Sequence, residues 1–126
     1  MPLTDISIKH LRCFDQVKIS LSPGINFFHG SNGSGKTSLL EAIFIFSSGK
    51  SFKSSNLQSL IQYDKKNFYL KGFDRSSGHI IEVEKHIKKP VSLKLNNKKI
   101  VSSKLIKKFP CTPIHNNTFS FTSAPP

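Results

Sequence analysis

An α/β fold is predicted, in which an apolar helix packs on a mixed sheet that continues into an antiparallel meander. Three observations point to it. The stretch Gly30-Ser31-Asn32-Gly33-Ser34-Gly35-Lys36-Thr37 satisfies G-x-x-x-x-G-K-[ST], the phosphate-binding loop of nucleoside triphosphatases. Apolar Ile25-Asn26-Phe27-Phe28 runs into it as a short buried strand, and residues 38–46 leave it as a helix, which is the setting the loop requires. After residue 66 the pattern changes to short alternating segments separated by turn residues, the mark of antiparallel strands.

Each residue type in the loop has a physical task. A triphosphate needs donors fixed in space around several negative charges. Gly30, Gly33 and Gly35 let the backbone curl so that successive N–H groups point inward. The helix starting near Lys36 aims its unpaired N–H groups and positive dipole end at the phosphates, and the Lys36 ammonium is placed to reach the β and γ oxygens. Thr37 is expected to put its hydroxyl on Mg²⁺, so ATP and Mg²⁺ are the expected cofactors. A Gly/Ser-rich turn matching by chance is the competing account, and the strand and helix on either side weigh against it.

In order along the chain, Leu3, Ile6 and Ile8 and then Val17, Ile19 and Leu21 alternate with polar residues, predicting two half-buried strands that flank residues 11–16 as a hairpin. Ser22-Pro23-Gly24 is a turn feeding the strand over residues 25–29. The helix after the loop shows no polar stripe between Leu39 and Phe46 apart from Glu41, so it is expected to pack on most sides. Ser47-Ser48-Gly49 ends it. Residues 50–55 form a polar loop whose Lys50 and Lys53 can return toward the nucleotide, and a short helix is expected over residues 56–62. Residues 67–73 and 79–85 read as strands about a turn at 74–78, and residues 91–95 as another. Asn96-Asn97-Lys98-Lys99 reads as a turn and residues 101–108 as a short basic helix; beyond Pro110 no period is visible. The expected organisation is a nucleotide-binding core with its hairpin (1–62), a basic meander of the same lobe (63–110) and an irregular tail (111–126).

With 126 residues, 37% of them hydrophobic, the chain suits one modest core. Cys13 and Cys111 lie far apart with no C-x-x-C spacing, which argues against a disulfide scaffold or a zinc site and suits a reducing compartment. No secretory leader opens the chain, and the longest apolar run, residues 42–46, is too short to span a bilayer, so a cytoplasmic protein without membrane attachment is expected. The net charge is +12 and unevenly placed, with all seven acidic residues at or before Glu84 and nine lysines between Lys85 and Lys108. A polyanionic partner is expected, with Lys94, Lys98 and Lys99 on the exposed face of a sheet as sequence-independent DNA contacts. Lysine that merely follows a biased composition would look the same.

From Asn32 to Ile43 the chain resembles the head domain of SMC-like ATPases of the ABC type, and with residues 3–14 it is similar to the RecF family of recombination mediators. His10-Leu11-Arg12-Cys13-Phe14 stands at that family's F-R-N-like turn, Ser22-Pro23-Gly24-Ile25-Asn26 matches L-S-P-G-x-N, and Gly49-Lys50-Ser51-Phe52-Lys53 is similar to G-R-S-F-R. The resemblance implies an ABC/SMC-head-like P-loop fold and an ATP-binding, DNA-binding function in replication, gap repair and the SOS response. It further implies single-stranded or gapped duplex DNA as substrate, an ATP-dependent homodimer and recombination mediator proteins as partners. Arg12, Lys50 and Lys53 become secondary nucleotide contacts by the same resemblance. Members of the family run on to a signature S-G-G motif and an apolar run ending in Asp-Glu; with no acid after Glu84, hydrolysis is expected only when such regions complete the site. The tail departs from the family pattern, with Thr112 at a Gln position and Asn116-Asn117 for Pro-Glu, so a truncated or decaying member is expected. Two other readings use the same residues: a small P-loop kinase, and a basic adaptor with a vestigial loop. The kinase fits less well because antiparallel strands, and no later Asp, follow the helix.

Overall fold

The alternation in the first twenty residues closes as a hairpin in the computed structural model, which describes residues 3–22, 24, 26, 35–49 and 56–108. Strands β1 (Asp5–Leu11) and β2 (Phe14–Ser20) pair antiparallel, from Asp5 opposite Ser20 to Leu11 opposite Phe14. The turn takes only Arg12 and Cys13, so both strands reach further than their apolar alternation marks, with Arg12 at φ 49°. After β2, Ser22 and Asn26 close the expected turn: Asn26 Oδ1 accepts from the Ser22 N–H at 2.9 Å and Asn26 Nδ2 donates to the Ser22 carbonyl at 2.9 Å. Of the strand expected over residues 25–29 only Asn26 is described, and it is not in a strand; the other four residues and the tail from residue 109 lie outside the described residues.

The meander is β3 (Asn67–Phe73), β4 (Ile80–His86), β5 (Ser92–Leu95) and β6 (Lys98–Lys99). Because β1 also pairs with β3, the six strands run in the order β2-β1-β3-β4-β5-β6, antiparallel at every described pairing. The turn read over residues 96–99 is shorter than expected. Asn96 and Asn97, at φ 51° and 68°, make a two-residue hairpin loop, the conformation asparagine tolerates best after glycine, and the two lysines become β6. Between β3 and β4 the buried Asp74 organises the turn, its carboxylate accepting from the Ser77 hydroxyl at 2.8 Å and the Ser76 hydroxyl at 2.8 Å. Those bonds hold the Asp74 carboxyl below the usual carboxylate range.

Helix α1 (Lys36–Ser48) lies on one face of this sheet. Its Leu39, Ala42, Ile45 and Phe46 join Ile6, Ile8 and Leu11 of β1, Phe68 and Leu70 of β3, Ile81 and Val83 of β4 and Leu93 of β5 in one buried cluster. Each such side chain contributes roughly 1.5–3 kcal/mol on burial. The Phe46 ring sits so close to β3 that a Cβ on Gly72 would stand 3.1 Å from it and 2.9 Å from Leu3. The helix is enclosed on most sides, as its apolar run implied, by the sheet and by a second helix, with Leu40, 49% exposed, on its open side. A 3-10 turn (Leu57–Leu60) follows, capped by Asn56, and helix α2 (Ser102–Lys108) packs Leu105 into the cluster beside α1. Among the described residues no helix is long and apolar enough to cross a membrane.

The opposite face of the sheet is polar, as period-2 alternation requires. There the Tyr69 hydroxyl donates to Glu82. Burial, and then that bond, push the Tyr69 phenol up to about 12. A group whose folded value is raised contributes stability in full below its unfolded value near 10, and loses it as pH rises through the folded value. Between pH 10 and 12 the wild type should therefore lose up to about 1 kcal/mol more than Tyr69→Phe, the figure being discounted for the partly solvated site. Urea midpoints of the two proteins across this range measure it; parallel curves would remove the interaction.

Candidate functional site

The described part of the phosphate-binding loop is its end, Gly35-Lys36-Thr37, and the start of α1. Gly35 is the N-cap residue, in the left-handed region at φ 97°, with no side chain capping the helix. A Cβ on Gly35 would lie 2.8 Å from the Phe14 ring and 3.2 Å from Cys13 Sγ, so the β1–β2 turn presses directly on the loop's last glycine. The first intrahelical bond runs from the Leu39 N–H to the Gly35 carbonyl at 2.9 Å, which leaves the N–H groups of residues 36–38 to point out of the helix end. No acidic side chain occupies the first turn. A lysine there opposes the helix dipole, a local conflict that an anion at the helix end resolves. Lys36 is half-buried and Thr37 exposed. Residues 30–34, Lys50 and Lys53 lie outside the described residues.

Arg12, in the same turn, forms an ion pair with Glu41 of α1, Nε to Oε1 at 2.9 Å and Nη2 to Oε2 at 3.4 Å. The carboxylate is 1% exposed and the arginine side chain 38%. Glu41, in sequence a lone acid in an apolar helix, is thus the group that orients Arg12, and its isolation was the one available signal. The turn is also held from outside: the Arg12 N–H donates to the Leu60 carbonyl at 2.8 Å and the Gln62 N–H to the His10 carbonyl at 2.8 Å. Arg12→Ala should strip a buried carboxylate of this partner and lower stability by about 2 kcal/mol. In a cycle with Glu41→Ala, the double variant should lose less than the sum of the singles by about 1 kcal/mol or more. Additive losses in urea unfolding would mean that the pair is not coupled.

The three lysines expected to contact DNA separate. Lys94 and Lys99 are cross-strand partners, whereas Lys98 pairs with Leu95, and directly opposed residues share a face. Lys94 and Lys99 therefore stand on the outer face and Lys98 on the side of Leu93 and the core; all three are exposed. Among the described residues no group of three His, Cys, Asp or Glu side chains is gathered to hold a metal ion.

The family of the RecF/RecN/SMC N terminal domain matches residues 2–120. The chain belongs to this family. Among its RecF/RecN/SMC relatives, the DNA replication and repair protein RecF of Glaesserella parasuis serovar 5 (strain SH0165) is 42% identical, over 79% of this chain. The chain spans 29% of that relative's own length. Among solved structures, the recombination mediator protein RecF-ATP of the RecFOR pathway is 31% identical and superposes with a TM-score of 0.73, covering 80% of this chain and 28% of the other. A structure from work on ATP-driven dimerization of SMC ATPases reaches a TM-score of 0.81 over 98% of this chain and 92% of the other, at 18% identity, and so speaks to fold alone. The fold is that of the RecF and SMC ATPase heads, the P-loop NTPase architecture with its antiparallel sheet.

Proposed function

We propose that the chain is the ATP-binding, DNA-contacting N-terminal part of a RecF-type replication and repair protein. The observation that carries this is the start of α1: an uncapped helix end behind a left-handed glycine, with no acid in its first turn and the motif's lysine and threonine as its first two residues. Such an end takes phosphate. Lys36 meets the β and γ oxygens and Thr37 holds Mg²⁺, with residues 30–34 of the motif as further phosphate contacts. Bound ATP brings negative charge to the positive end of the helix dipole. Arg12, positioned by Glu41, and Lys50 and Lys53 stand as secondary contacts. The similar RecF-ATP structure and the replication and repair name of the curated relatives support the reading.

The polyanionic partner is DNA, met through backbone phosphates by the basic sheet. Pairing of two heads across ATP, association with further recombination mediators and a cytoplasmic location belong to the same proposal, and the RecFOR setting of the similar structure supports the mediator association. Calorimetric titration of the chain with ATP, with and without Mg²⁺, tests the reading. Saturable binding strengthened by Mg²⁺ is the expected result, and no binding at millimolar ATP would reject it.

A further inference from the structure

The outer face of the sheet carries a transverse row with one residue from every strand. Lys18 lies opposite Ser7, Ser7 opposite Lys71, Lys71 opposite Glu82, Glu82 opposite Lys94, and Lys94 opposite Lys99. Directly opposed residues point the same way, so lysines from β2, β3, β5 and β6 stand in line. At about 4.8 Å per strand the row is about 24 Å long. All four lysines are exposed, and none of their side chains is among the hydrogen bonds and ion pairs of the described residues.

The carboxylates on this face are engaged elsewhere. Asp5 is held by Arg75 at 3.1 Å, Glu84 by Asn67 at 2.8 Å and by His86 at 2.9 Å, and Glu82 by Tyr69. Glu82 keeps its charge within the row, which with four lysines and one carboxylate remains net positive and open to a ligand from outside. A straight, stiff polyanion suits a row of this length, and duplex DNA presents one charge per about 1.7 Å of its axis. A single strand would call for a series of exposed aromatic rings on which bases stack, whereas on this face Tyr69 is committed to Glu82 and Phe73 is half-buried.

We propose that Lys18, Lys71, Lys94 and Lys99 form a track along which the phosphate backbone of duplex DNA lies, crossing the strands rather than following them. The proposal rests on the DNA-binding reading above and refines it: two lysines from the first three strands of the sheet join the track, and Lys98, on the other face, is outside it.

The test is anisotropy of a labelled 20-base-pair duplex of arbitrary sequence with the 126-residue chain, across a salt series. Lys18→Gln with Lys71→Gln should lower the slope of log affinity against log salt by about 1.8, at about 0.9 for each phosphate no longer neutralised. Lys98→Gln should leave the slope unchanged, and Lys18→Arg with Lys71→Arg should keep it. Thermal midpoints equal to wild type show that the variants are folded. If the Lys18/Lys71 variant keeps the wild-type slope while Lys98→Gln lowers it, the track is wrong and DNA binding stands. If the wild type binds no duplex at low salt, the DNA-binding reading itself falls. Polyglutamate of equal charge competing as well as unlabelled duplex would assign the row to an acidic protein partner and overturn the proposal.

Discussion

Lys36→Ala should weaken ATP·Mg²⁺ binding by about 100-fold or more while leaving the fold in place. A charge-assisted hydrogen bond contributes roughly 1.5–3 kcal/mol, and the Lys36 ammonium is offered more than one phosphate oxygen. Lys36 is half-buried at the first position of α1, where alanine is a good helix former and removes a cation that opposes the dipole. Stability without nucleotide should therefore change far less than nucleotide affinity. This split between affinity and stability separates a ligand-binding lysine from a structural one. Titration of both proteins with ATP and ADP, alongside thermal denaturation of the apo forms, measures it. A larger loss for ATP than for ADP locates the ammonium on the γ-phosphate. Equal nucleotide affinity in wild type and variant would sink the assignment.

Gly35→Ala should have the opposite profile in the apo protein. Alanine at φ 97° is strained by roughly 1–2 kcal/mol, and its methyl group would meet the Phe14 ring at 2.8 Å and Cys13 Sγ at 3.2 Å. A well-packed neighbour that must shift adds roughly 1–3 kcal/mol, so a total near 3 kcal/mol is expected. Nucleotide binding should fall with it, because the helix end is displaced from the β1–β2 turn. Phe14→Leu in the Gly35→Ala background removes the ring and should restore about 1 kcal/mol, leaving the backbone strain. Unchanged urea midpoints for Gly35→Ala would show that the turn does not press on the loop.

What the sequence made legible follows from periodicity. Helix α1 and the strands of the meander each occupy a continuous stretch, and spacing of 3.6 or 2 identifies such stretches. The Arg12–Glu41 pair was not legible, since its members are 29 positions apart and meet only because the hairpin turn folds over the helix start. Nor was the face of each lysine. Whether Lys98 or Lys99 shares a face with Lys94 depends on the turn being two residues rather than three, since a shift of one residue exchanges the faces. Lys18 and Lys71 fall into line with the later lysines because β1 inserts between β2 and β3, a topological fact that no local pattern contains.

That insertion also sets the order in which the chain can fold. The β1–β2 hairpin closes over two residues and can form early, but the other edge of β1 stays unpaired until β3 arrives, with Asp5 meeting Phe73. Closing a segment of this length disfavours the encounter by roughly 3 kcal/mol more than closing the hairpin. Until then β1 offers an open strand edge beside the apolar residues of α1, the combination that invites pairing between chains. During synthesis the interval of exposure lasts for the translation of the segment between β1 and the end of β3, several seconds at about 5–20 residues per second. Solubility in the cell is thus tied to the speed with which β3 is delivered as well as to the stability of the finished sheet.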